Sequence, residues 1–66
     1  MKSHTPDCAK IEQFAASLAP MKTYQLCVQD FDSKDYTLEF HGRSIVITQQ
    51  QFDDGTWQTI LREAIQ

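Results

Sequence analysis

Ile11, Phe14, Ala15 and Leu18 recur at the spacing of one helical face, while Lys10, Glu12, Gln13 and Ser17 fall elsewhere. The start of that helix is marked by Thr5-Pro6-Asp7. A threonine oxygen can cap free backbone N–H groups, proline suits the first helical position, and aspartate favours the positive end of the helix dipole. Pro20 is expected to stop the helix near Ala19. The period then changes to two: Tyr24, Leu26 and Val28 alternate with Thr23, Gln25, Cys27 and Gln29, which predicts a half-buried strand with the first set inward. Asp32-Ser33-Lys34-Asp35 has turn chemistry, and Tyr36, Leu38 and Phe40 alternate with Thr37 and Glu39 in a second strand. His41-Gly42 predicts a tight turn, because glycine accepts the positive φ of a primed hairpin, and a third strand is expected from Ser44 to Thr48. Trp57, Ile60, Leu61, Ala64 and Ile65 share one face of a final helix, expected from about Thr56 to Ile65. Thr48-x-x-Gln51 has the form of a capping box and could open an earlier helical turn.

The order α-β-β-β-α predicts an α+β domain: a three-stranded antiparallel meander with two helices packed on one face. A two-residue turn at His41-Gly42 sets Leu38 opposite Ile45 and Tyr36 opposite Ile47. The inward face is then Tyr24, Leu26, Val28, Tyr36, Leu38, Phe40, Ile45 and Ile47, and the opposite face, mostly Thr, Gln, Glu and Ser, can remain wet. Residues 1–66 make one small domain, with 1–4 expected to be disordered. This succession of elements is similar to that of the double-stranded-RNA-binding fold over most of the chain. That family's RNA contacts need lysines at the start of the final helix, where this chain has Asp53-Asp54-Gly55-Thr56-Trp57. The resemblance is one of topology, and none of the family's binding residues is carried over.

Composition narrows the function classes. With 41% hydrophobic and 23% charged residues the chain should fold, and at 66 residues a deep catalytic cleft is not expected. Two cysteines, Cys8 and Cys27, are too few for the disulfide framework of small secreted domains, and no charged-then-apolar leader opens the chain. A cytoplasmic location is therefore expected. No apolar run approaches the roughly 20 residues needed to cross a bilayer, so no membrane span is expected. Nine acids against six bases give a net charge of −3, which argues against a general nucleic-acid binder.

Candidate chemistry is sparse. Asp30-Phe31-Asp32-Ser33-Lys34-Asp35 begins like a calcium loop, but Lys34 stands where a ligand belongs, Asp35 where glycine does, and no glutamate closes the loop at position 41. His4, Cys8, Cys27 and His41 lack the paired spacing of a zinc site. Cys8 near a helix start could be a reactive thiol, although no base is placed beside it, and small core cysteines are commoner. His41 reads as a turn residue, with no nucleophile, carboxylate pair or phosphate loop converging on it. No catalytic residue, metal ligand or cofactor is assigned, and the chain is expected not to be an enzyme.

Two surfaces remain. In an up-down-up meander Asp30, Phe31, Asp32, Asp35, Asp53 and Asp54 gather at one end, with Asp7 joining them, and that acidic end could meet a basic protein surface. Aspartates also favour turns and helix starts for local reasons. Phe52, like Phe31, fits no inner-face pattern and could add apolar area there. Ile45-Val46-Ile47-Thr48 should be an edge strand without proline or charge, open to a partner's strand or to a second copy of the chain. The expected function is a small protein-interaction or regulatory module of adaptor or inhibitor type, with a protein partner. The alternatives are a nucleic-acid accessory protein using Lys22, Arg43 and Arg62, and a small-molecule or metal-dependent protein.

Overall fold

The computed structural model describes residues 2–19, 25–40 and 42–65. The expected stop at Pro20, the strand start at Tyr24 and the conformation of His41 lie outside these residues. Helix α1 spans Pro6–Leu18 with Pro6 in its first turn, as the start signal predicts. Thr5 is extended, at φ −114° and ψ 168°, and its Oγ1 accepts from the Cys8 N–H at 3.2 Å. Cys8, Ile11 and Ala15 lie fully inside, with Phe14 and Leu18 packed against them.

Four strands form one antiparallel sheet in chain order: β1 (Lys2–Ser3), β2 (Gln25–Asp30), β3 (Tyr36–Phe40) and β4 (Arg43–Ile47). The β3–β4 register matches expectation, with Leu38 opposite Ile45 and Tyr36 opposite Ile47, and Gly42 has the left-handed φ of 74° that the tight connection requires. β1 was not foreseen: Ser3 pairs with Gln29 and Lys2 with Asp30, which places these two residues along β2 as an outer strand of the sheet.

The inward set of β2 is the opposite of the one expected. Cys27 pairs with Leu38, Gln25 with Phe40 and Gln29 with Tyr36, so Cys27 faces the helices and is fully buried, while Leu26 and Val28 lie on the other face beside Glu39 and Thr37. The five-residue connection sets this register. Asp30 Oδ1 accepts from the N–H groups of Asp32 and Ser33 at 2.8 and 2.9 Å, and the Asp30 N–H donates to Asp35 O at 2.8 Å. A shift of one residue in that turn would reverse every side chain of the strand.

β4 ends at Ile47 rather than Thr48, because Thr48 becomes the N-cap of α2 (Gln49–Asp54). Both halves of its capping box are formed: Thr48 Oγ1 accepts from the Gln51 N–H at 3.1 Å, and Gln51 Oε1 from the Thr48 N–H at 3.0 Å. Gly55, at φ 86°, closes α2 in the left-handed conformation and leads into α3 (Thr56–Ile65). Phe52, expected at the surface, instead belongs to the core. Its ring lies 5.0 Å from that of Tyr36 and stacks at 5.4 Å on Trp57, which meets Phe14 edge-on at 5.1 Å. Capping at Thr48 turns the chain back over the sheet and carries that ring inward.

Helix α1 covers β2 and β3, and α3 lies beside α1 and over β4. Tyr36, Leu38, Ile47 and Leu61 are completely buried between the layers. The register puts Leu26, Val28, Thr37, Glu39, Ser44 and Val46 on the sheet face that no described helix covers.

Candidate functional site

The two sheet edges are finished differently, and the register explains how. With Phe40 opposite Arg43 across a two-residue connection, Phe40–Arg43, Leu38–Ile45 and Tyr36–Ile47 are the hydrogen-bonded pairs. The main-chain groups of Ser44 and Val46 therefore point away from β3. By the same alternation Gln25, Cys27 and Gln29 turn theirs away from β3 on the opposite edge.

That opposite edge is covered at Gln29 and Cys27. Gln29 is paired by Ser3 of β1, and beyond the end of β1 the Cys27 N–H donates to Glu12 Oε2 of α1 at 2.7 Å. Glu12 Oε1 in turn lies 2.9 Å from His4 Nε2. A carboxylate thus occupies the place of a missing strand neighbour.

The β4 edge has no such cover: no described strand lies outside it, and no described side chain bonds the outward groups of Ser44 and Val46. Val46 is 55% exposed. Of the other residues expected to take a partner there, Ile47 is fully buried, Ile45 is half-buried, and Thr48 is engaged as the α2 cap. The edge therefore offers backbone and the Val46 side chain rather than an isoleucine surface.

The structure brings most of the expected acidic residues to one end. The β2–β3 turn carries Asp30, Phe31, Asp32 and Asp35, and Gln29 Nε2 donates both to Lys34 O at 3.1 Å and to Gln49 Oε1 at 3.3 Å. The bond to Gln49 ties α2 to the turn, and within α2 Gln49 Nε2 donates to Asp53 Oδ1 at 3.1 Å. Asp7 reaches the same end, where Asp7 Oδ2 accepts from the Tyr36 hydroxyl at 2.9 Å.

Local chemistry occupies several of these carboxylates. Hydrogen bonds from the Ser33 and then the Asp32 N–H hold the Asp30 carboxyl below its ordinary range. Those from Thr56, one of them its N–H at 2.8 Å, do the same for Asp54. Asp32 and Asp53 are exposed and Asp35 is half-buried. Phe31 is 64% exposed on this fixed turn, with Lys34 Nζ 4.9 Å from its ring centre.

Burial, and then the bond to Asp7, push the Tyr36 phenol up to about 12 from 10.0. Because the folded value is raised, the stabilisation is complete below the ordinary phenol value and is lost as pH rises from 10.0 towards about 12. Tyr36→Phe is expected to cost about 1 kcal/mol near neutrality and to remove most of this alkaline loss. Urea midpoints at pH 7 and pH 11 check both, and an unchanged alkaline loss in the variant would contradict the assignment.

For the basic alternative, Lys22 lies outside the described residues. Arg43 Nη1 donates to Ala64 O at 3.4 Å, and the Arg62 guanidinium sits 5.5 Å from the Phe14 ring centre. Both arginines are exposed at the C-terminal end of α3. Among the described residues no group of three His, Cys, Asp or Glu side chains could hold a metal ion, and no described helix is long and apolar enough to cross a membrane. The Glu12 plug was not foreseen from the sequence. An acidic residue three positions from Ala15 on a helix lying over a strand is its only trace there.

Comparison of the chain with protein-family models, with curated proteins and with solved structures finds no match.

Proposed function

We propose that the chain is a small, non-enzymatic protein-interaction module that acts by adding a partner's extended segment to the β4 edge. The supporting observation is the asymmetry of the sheet: one edge is covered at Gln29 by β1 and at the Cys27 N–H by the Glu12 carboxylate, while no described residue covers the outward groups of Ser44 and Val46. Edge pairing satisfies main-chain donors and acceptors, and side chains on alternate faces then set specificity. Val46 and its cross-strand neighbours Thr37 and Val28 form the row beside which an added strand would run. A cytoplasmic location belongs to the same reading.

The acidic end supports a second mode of contact. Phe31 is the large exposed hydrophobic of a turn fixed by hydrogen bonds and flanked by Asp32 and Asp35, an arrangement suited to a basic surface with an apolar pocket.

Val46→Pro separates the two. Proline at an outward-facing N–H removes no β3–β4 hydrogen bond but blocks strand addition. Tagged wild-type protein, captured against its native host's extract and measured by light scattering, is expected to retain a stoichiometric protein partner or a second copy. Val46→Pro should weaken that retention at least tenfold, about 1.4 kcal/mol, with the fold intact. Retention unchanged by Val46→Pro but lost when Asp32, Asp35, Asp53 and Asp54 become Asn would assign the contact to the acidic end. A strict monomer that retains nothing would contradict both modes.

A further inference from the structure

The chain has two cysteines, far apart in sequence, and the fold brings them together. Cys8 stands in the first turn of α1 and Cys27 in the middle of β2, the strand that α1 covers. Both are free thiols with no exposed surface and members of one core cluster, and Glu12, one helical turn after Cys8, reaches the Cys27 N–H at 2.7 Å. The Cys8 thiol also points at Ser3 O, at 3.8 Å, on the strand that closes the same edge. Nothing in the pattern of either segment requires sulfur at these positions; alanine or valine would serve a purely apolar contact.

We propose that Cys8 and Cys27 are an oxidisable dithiol that closes into an intramolecular disulfide pinning α1 to β2. Both thiols lie in the layer between α1 and β2, and closing the bond brings their sulfurs to about 2 Å by side-chain rotation with backbone adjustment of the packed helix. The bond would close the loop from Ala9 to Leu26, whose far end is otherwise held to the helix through the Glu12–Cys27 hydrogen bond.

Oxidised glutathione, a small-molecule disulfide, is a sufficient oxidant. One cysteine thiolate attacks a glutathione sulfur, forming a mixed disulfide and releasing one glutathione, which takes up the proton. The second cysteine then attacks its neighbour's sulfur in that mixed disulfide, closing the protein disulfide and releasing the second glutathione. The protein loses two electrons and two hydrogens, and one glutathione disulfide becomes two thiols.

Burial governs the rate. Desolvation first, then the neighbouring Cys8 thiol and Glu12, push the Cys27 thiol far above its ordinary value. The first attack therefore waits for α1 to lift from the sheet, so exchange is slow in the folded protein and fast during folding. The dithiol would persist in a reducing compartment, and the disulfide would form in an oxidising one. This inference is independent of the β4 edge.

The test is refolding of the wild-type chain in glutathione buffers of graded redox ratio, followed by acid quenching, mass measurement and thermal melting. The expected product is a monomer lighter by two hydrogen atoms that melts roughly ten degrees or more above the reduced form and keeps its far-ultraviolet spectrum. Cys8→Ala under the same conditions should give at most a glutathione adduct and no rise in melting temperature. A glutathione adduct or a cross-linked dimer as the equilibrium product of the wild type would overturn the proposal. So would an oxidised monomer that melts at or below the reduced one.

Discussion

Cys27→Asp is expected to abolish folding, whereas Leu26→Lys, one position earlier, should leave the domain folded and within about 1 kcal/mol of wild type. Cys27 has no exposed surface, lies beside Leu38 on the sheet face that α1 covers, and has the Glu12 carboxylate on its N–H. An ionised aspartate there would lose its water and meet a like charge, at a cost of about 4 kcal/mol or more. A domain of this size is stabilised by only about 3–5 kcal/mol in all. Leu26 lies on the uncovered face opposite Glu39, where a lysine gains a favourable cross-strand neighbour. Far-ultraviolet circular dichroism and urea unfolding of the two variants decide the matter. A folded Cys27→Asp with an unfolded Leu26→Lys would restore the register in which Leu26 and Val28 face the helices.

The second large effect falls on Glu12. Truncation to alanine leaves the Cys27 N–H without its acceptor and exposes β2 beyond the end of β1. The cost should be about 1–3 kcal/mol, the penalty for an unsatisfied, partly buried donor. Glu12→Gln keeps an oxygen within reach and gives up only the charge-assisted part of the bond, so it should cost about half as much. The alanine variant should also self-associate at concentrations where wild type and the glutamine variant remain as they were, because a second sheet edge has opened. Urea midpoints and light scattering on the three proteins provide the check. Equal stability and equal association of the alanine and glutamine variants would mean that the carboxylate is not closing the edge.

The elements whose signals are local were legible in the sequence. Thr5-Pro6-Asp7 started α1, Thr48-x-x-Gln51 capped α2, and the two residues between Phe40 and Arg43 fixed which side chains of β3 and β4 face each other. β2 was legible as a strand but not in its facing. Its stronger hydrophobes, Leu26 and Val28, point outward because the turn from Asp30 to Asp35 sets the pairing with β3, and a five-residue turn can close in more than one register. Cys27 was the available hint, since free cysteine is among the residues most often buried. β1 is too short to carry a period, and Phe52 turned inward because of a cap rather than a pattern. The acidic end was inferred from connectivity, and contacts through Gln29 and Gln49 join its parts. The Glu12 plug depends on a contact between segments distant in sequence, which periodicity cannot express.

The most direct test is amide hydrogen exchange, residue by residue, on the free protein at neutral pH. The Cys27 amide, although it points away from the β2–β3 ladder, should be protected to nearly the same degree as those of Leu38 and Ile45, while the Ser44 and Val46 amides exchange close to the rate of an unstructured chain. Slow exchange at Ser44 and Val46 in a demonstrated monomer would show that something within the chain already covers β4, and the binding edge would be lost.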